Sequence, residues 1–284
     1  MRTLLLMGML TGLFVLAGWV AAGYGLTGSP VAAILLFGGF ALLINGAAYL
    51  WSHKFVLWSY KAKIVGPEEA PRLYAIVDRV RRQAGLPMPK VALIPMGVPN
   101  AFATGRNPKH AVVAATEGIL RMLDDDELEG VMAHEVAHVG NRDMLVMTMA
   151  ATVAGAVTFA ARMLFWNALF GGGDNRNPWT AIVGIVFMVL APIVALMVQL
   201  AVSRQREFKA DAVGARNCGK PWALARALQK MEDVAKGHPL PAGRANPSTA
   251  SLFIVNPFRG GGVSRLFSTH PDTQERIRRL QQLR

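Results

Sequence analysis

His134-Glu135-Val136-Ala137-His138 decides how this sequence is read. Residues four apart on a helix stand on one face, one turn above the other. Both imidazoles can then reach a single Zn²⁺. Glu135, one residue round the same turn, can reach a metal-bound water without being a ligand itself. A metal so held lowers the pKa of its water to about 7. Glu135 can take that proton as general base and pass it to a leaving amine. The bland alternative is two ordinary helix histidines with a Glu between them by chance. The flanks argue against it. Asp124 with Glu127 has the pattern of a capping box at a helix start, and Leu128, Val131 and Met132 give that helix an apolar side.

Outward from this helix, residues 52–143 read as a folded half-domain. Pro67-Glu68-Glu69 predicts a helix opening with acidic residues in its first turn. Leu73, Ile76, Val77 and Val80 form its apolar face, and Gly85 ends it. Residues 91–94, 100–104 and 111–115 predict three short strands, the last two separated by the turn Gly105-Arg106-Asn107-Pro108. Residues 203–284 predict a helix through Ala215, a second over 221–236 and a loop rich in Gly, Pro and Ser from 237 to 264. A last helix starts near Asp272, with Ile277, Leu280 and Leu283 on one face. The two stretches are the expected halves of one protease domain.

Between and before them lie four apolar segments, at about 3–26, 31–51, 144–165 and 180–202. Each has roughly the 20 residues that span a bilayer core. The first is too long for the apolar stretch of a signal peptide, and a second follows it closely. The expected domains are therefore 1–51 as two transmembrane helices, 144–202 as two more joined by a short external loop, and 52–143 and 203–284 as the protease halves. Composition agrees: 52% of the 284 residues are hydrophobic and only 17% charged, against about 25% charged in soluble domains. The net charge of +12 is placed unevenly, with 12 of the 30 Lys and Arg in 52–143 and 15 in 203–284. The rule that cytoplasmic loops are positive puts both stretches, and both termini, in the cytoplasm. No aromatic-basic platform or DNA-binding motif is present, so nucleic acid is not an expected partner. A transporter is disfavoured, because ionisable residues are nearly absent from the apolar segments. Cys218 is the single cysteine and forms no internal disulfide.

A catalytic zinc needs a third protein ligand and an open position. Among the acids and histidines downstream, Glu207 is best placed, just as the chain leaves the fourth apolar segment. Asp211, four residues on, shares its face and suits an acceptor for the free N–H of a ligand histidine. Spacing alone leaves this open. A pair of helix carboxylates balancing Arg204, Arg206 and Lys209 explains it equally well. His270 and Arg276 read in isolation as the residue preceding a C-terminal helix and a cation on its basic side.

The sequence resembles the HtpX family of bacterial membrane zinc proteases, relatives of the type I CAAX prenyl proteases. The matching residues are Asn100-Ala101-Phe102-Ala103-Thr104-Gly105, His134 to His138 continuing to Asn141-Arg142-Asp143-Met144, Glu207 to Asp211, and Phe267-Ser268-Thr269-His270-Pro271 with Arg276. One departure is Asp272 where the family pattern has a second proline. The resemblance implies a mainly α fold with a small antiparallel β-sheet, a zincin-like domain joined to about four transmembrane helices. It implies one Zn²⁺ per subunit on His134, His138 and Glu207, with Glu135 as base and Asp211 behind the metal. It implies that Asn100 and Ala101 lie on an edge strand to which substrate adds, and that His270 and Arg276 stabilise the transition state. The implied activity is hydrolysis of damaged inner-membrane proteins. Alternatives are a processing peptidase of the CAAX type and a scaffold with structural zinc. Expected partners are membrane-protein or peptide substrates and the lipid bilayer. A homo-oligomer is left open.

Overall fold

The computed structural model describes residues 29–141, 143, 204–237, 254 and 271–283, with isolated positions before residue 20. The third and fourth apolar segments, the loop joining them, nearly all of the first segment, and His270 lie outside the described residues.

Helix α1 spans Pro30–Ser59. Ser29 Oγ accepts from the Ala32 N–H at 3.1 Å, and Pro30 stands where no N–H is required. Its 30 residues make it about 45 Å long. Leu35, Leu36, Leu42 and Leu43 are exposed along it. Over the side chains that are described, no helix is long and apolar enough to cross a membrane, and several in the middle of α1 fall outside that description. The helix runs on past Trp51, so the second apolar segment enters the protease half without a break.

There the chain forms β1 (Lys63–Val65), α2 (Pro71–Gln83), β2 (Lys90–Ile94), β3 (Ala101–Thr104), β4 (Val112–Thr116) and α3 (Glu117–Met122). Helix α4 is Asp125–Asn141. The later half supplies α5 (Arg204–Cys218), α6 (Pro221–Gly237) and α7 (Thr273–Gln281). Helix α2 starts later than its acids suggest. Glu69 lies outside the first turn because its carboxylate closes the preceding turn, accepting from the Gly66 N–H at 3.1 Å and Lys63 Nζ at 2.6 Å. The capping box of α4 is reciprocal, with Glu127 N–H on Asp124 Oδ1 at 2.8 Å and Asp124 N–H on Glu127 Oε2 at 3.0 Å.

The sheet order is β1-β2-β4-β3, and the sheet is mixed rather than antiparallel. β3 and β4 form an antiparallel hairpin. The chain runs from β2 to the far side before turning back, so β4 lies beside β2 and parallel to it, with Val91 opposite Val113. β1, which periodicity does not reveal in three residues, adds antiparallel to β2. Alternation divides the sheet. Val91, Ala101, Ala103, Val113 and Ala115 join the main core of α2 and α4. Ala92, Ile94, Phe102, Val112 and Ala114 instead pack under the last turns of α1 through Val56, Leu57 and Tyr60.

Candidate metal and catalytic site

Helix α4 is the buried centre of the domain, against α2, α5, α6 and β3. Burial extends to its acids. Glu129 Oε2 accepts from Arg79 at 3.0 Å and Lys220 at 2.8 Å, and Glu127 Oε2 accepts from Lys230 at 2.7 Å. These bonds tie α4 to α2 and α6 and answer carboxylates that would be costly to bury alone. Opposite, α5 approaches so closely that a Cβ on Gly214 would fall 2.8 Å from the backbone of Ala133 and His134. That approach brings Glu207 to the two histidines.

His134 Nε2 and His138 Nε2 are 3.2 Å apart. Glu207 Oε2 is 3.7 Å from His134 Nε2, and Oε1 is 3.4 Å from His138 Nε2. All three side chains are buried, and they are the His/Cys/Asp/Glu cluster of metal-binding size among the described residues. Ligand atoms at about 2.05 Å from a tetrahedral zinc lie roughly 3.3 Å from one another. The observed edges bracket that value, so the donor set fits zinc. Two imidazoles and a carboxylate also match a three-ligand catalytic site, not a closed structural one.

Behind the first histidine, Asp211 Oδ1 is 2.9 Å from His134 Nδ1. Arg276, 1% exposed, grips the same carboxylate with both prongs, Nε to Oδ2 at 2.8 Å and Nη2 to Oδ1 at 2.7 Å. Burial works to raise the Asp211 pKa. The Arg276 charge and bonds, with the bond from His134, outweigh it and bring it down to about 2. Behind the second histidine stands Asp143, 3.7 Å from His138 Nδ1. That is too long for a hydrogen bond, and His138 Nδ1 is buried without one among the described residues. Asp143 lies just past α4, where helical spacing gives no guide to its direction. Its sole sequence signal is membership of the run from Asn141 to Met144.

Glu135 is buried, and burial raises its pKa. The nearby histidines and a bond from the Ala103 backbone oppose that shift. Its carboxylate thus stands between the histidine pair and β3. Ala101 opens the edge strand β3 and Asn100 immediately precedes it, so the strand edge implied by the resemblance begins one residue later than the sequence suggests. The Asn100 backbone is paired to Thr116, whose Oγ1 accepts from its N–H at 2.9 Å. Its Oδ1 accepts from the Ile254 N–H at 3.2 Å, while Arg276 Nη1 donates to the Ile254 carbonyl at 3.2 Å. One main-chain unit of the long loop is therefore held at both ends beside the site. Arg276 is not on the solvated basic side of α7. That side carries Arg278 and Arg279, which pair with Glu275.

Residues 67–284 match the family described as Peptidase family M48. The chain belongs to that family. A Protease HtpX homolog of Thermococcus sibiricus is 50% identical over 287 residues, covering 100% of this chain and 95% of the relative. A second, from Persephonella marina, is 48% identical over 284 residues, covering 99% and 96%. The crystal structure of S. mikatae Ste24p superposes with a TM-score of 0.50 at 17% identity, over 98% of this chain and 64% of that one. The last shows a shared fold. Membership of M48 makes the protein a metalloprotease and fits the His-His-Glu cluster.

Proposed function

We propose that this M48 protein is a zinc-dependent endopeptidase of the bacterial inner membrane, hydrolysing peptide bonds of misfolded or damaged membrane proteins on the cytoplasmic side. The observation that carries the reading is the convergence of His134, His138 and Glu207 within 3.2–3.7 Å, with Glu135 beside them. Zinc bound there would supply a Lewis acid that acidifies water and polarises the substrate carbonyl. Glu135 removes the proton from the attacking water and returns it to the leaving amine. Asp211, held ionised by Arg276, accepts from His134 Nδ1, which fixes that ring with Nε2 toward the ligand cluster. Arg276 keeps Nη1 for a carbonyl oxygen, as it now holds Ile254 O. Asn100 Oδ1 takes an N–H in the same way, so the pair is shaped to read substrate main chain next to β3. His270 is assigned the remaining donor to the developing oxyanion, on the resemblance alone.

The membrane assignment is supported by the apolar residues exposed along α1, by the charge placement and by the resemblance to the HtpX family. Glu135→Gln tests the chemistry. The base is lost and the ligands stay, so the purified variant should hold one zinc per chain by atomic spectroscopy and leave casein uncut. Turnover near that of the wild type would refute the role of Glu135. Proteomics of cells carrying this variant should find intact membrane proteins trapped with it.

A further inference from the structure

Where α1 leaves the domain, it passes a ring of cations that the catalytic chemistry does not use. His53 is one turn before Val56, the residue that enters the core under the sheet. Lys54, Arg106, His110 and Lys90 all lie near enough for their charges to bear on His53. Lys54 follows His53 on α1, and the other three come from one end of the sheet. Lys90 begins β2 opposite Val112 of β4, and its N–H bonds the Ala111 carbonyl at 2.9 Å. Arg106 and His110 come from the turn between β3 and β4. That turn is tight: Gly105 has φ +134°, and a Cβ there would meet the His110 carbonyl oxygen. Within it, His110 Nδ1 lies 2.8 Å from Asn107 Oδ1, and Arg106 Nη2 lies 3.3 Å from His110 Nε2. The Arg106 guanidinium is thus propped by the imidazole, and Lys109 is exposed beside it.

No acid answers this charge. The sequence has no Asp or Glu in residues 1–67 or 79–116. Elsewhere on the domain many cations are paired, as in Arg81 and Arg82 with Asp78 or Lys236 with Glu232, and those without a carboxylate partner among the described residues, Lys61, Lys209 and Arg216, are not gathered around His53. Lys54, Lys90, Arg106 and Lys109 have no carboxylate partner among the described residues. A second observation lies on the same helix. Trp51, Phe55 and Trp58 are exposed, the last to 75%. Large aromatic rings open to solvent beside unpaired cations at the end of an apolar helix are the two halves of a membrane-interface contact, rings at headgroup depth and cations on phosphate.

We propose that the collar of Lys54, Lys90, Arg106 and Lys109 around the exit of α1 binds the phosphates of anionic phospholipid headgroups. It sets the depth and tilt at which the domain rides on the bilayer. This rests on the membrane reading above. The turn and the strand starts are fixed by backbone bonds, so the Cα positions of Lys90, Arg106 and Lys109 are set before binding and no backbone ordering is required.

The test uses the full chain, purified with zinc and reconstituted at about 0.15 M salt. Its tryptophan fluorescence is quenched by lipids brominated on the acyl chains, either phosphatidylglycerol or phosphatidylcholine. The ratio of the two affinities is the readout. Each interfacial cation contributes about fivefold to anionic-lipid preference. The triple variant Lys54→Gln/Lys90→Gln/Arg106→Gln should therefore lose the preference by at least about tenfold. Arg82→Gln/Lys236→Gln/Arg278→Gln, which removes equal charge from other faces, should keep it. Equal losses in the two variants would overturn the proposal. So would abolition of the preference by millimolar inorganic phosphate, which would make the collar a free-anion site. Quenching by both lipids without preference would leave the membrane reading standing and remove the headgroup contact. No quenching by either would remove both.

Discussion

Arg276 occupies a position that a lone cation could not. Its two prongs on Asp211 and its third nitrogen on the Ile254 carbonyl use the fixed planar fork of a guanidinium, which an ammonium cannot reproduce. Two roles meet in this side chain: orienting His134 through Asp211, and holding a carbonyl beside the site. They make different demands on variants. Glu207→Ala removes a ligand and should lose zinc and activity together. Arg276→Ala leaves a buried carboxylate with one partner and should weaken zinc binding about 10–100-fold while lowering kcat about 10²–10³-fold. His270→Ala, if that residue serves the oxyanion alone, should lose kcat with zinc retained. Arg279→Ala, at an exposed position, should resemble the wild type. A zinc titration with kinetics on one peptide separates them. Full zinc affinity in Arg276→Ala would break the link from Arg276 to the metal, and full zinc in Glu207→Ala would remove it from the ligand set. The facing of His134 and His138 on α4 is legible in sequence because four-residue spacing is local geometry. The direction of Arg276 is not, since the same spacing places it among Arg278 and Arg279 and only tertiary packing turns it inward.

The site is assembled by one helix crossing. α4 carries the two histidines and Glu135, α5 carries Glu207 and Asp211, and Gly214 is where they touch. Asp211 lies three residues before Gly214 and Glu207 a further turn back, so both carboxylates share the side that the close approach presents. Gly214→Ala should push α5 away from His134, because the atoms in the way are backbone and cannot rotate aside. Overpacking of this kind costs about 1–3 kcal/mol. Here it should also weaken zinc affinity, since the displaced helix carries Glu207, the proposed third ligand. Gly237→Ala, where nothing lies within 4 Å, should change neither. Thermal unfolding with and without zinc, and competition with a chelator, provide the comparison. Wild-type zinc affinity in Gly214→Ala would show that the crossing does not govern the site. Element by element, helices with caps and apolar periodicity are readable: α4 from Asp124 and Glu127, α7 from Asp272, whose side chain accepts from the Gln274 N–H at 2.8 Å. The sheet is less so. Its strands are short, and their order depends on which edge the β3–β4 hairpin finds, a choice made by packing against α1 and α4 and not by any local residue.

At the scale of the whole molecule, two distant halves of the chain make one site while apolar segments separate them in sequence. α4 and α5 must meet on the same side of whatever the intervening residues 144–203 do. If those residues cross a membrane, they must cross it twice or not at all. The charges choose the side. With 12 cations in 52–143, 15 in 203–284 and only Arg176 between the third and fourth apolar segments, insertion favours retaining both basic stretches in the cytoplasm. The expected topology therefore has the domain and both termini inside and residues 171–178 outside. Cysteine labelling can check it cleanly, because the native Cys218 is buried and can be replaced by serine as background. In intact cells, a membrane-impermeant maleimide should modify Asn175→Cys and should not modify Leu240→Cys until the membrane is opened. Labelling of Leu240→Cys from outside would reverse the orientation. Protection of both positions would mean that residues 144–203 lie on the inner face without crossing, with the catalytic crossing of α4 and α5 still intact. Those outcomes also bear on substrate access: if the domain is anchored inside through α1, β3 beside that helix would meet membrane proteins at their cytoplasmic ends and loops.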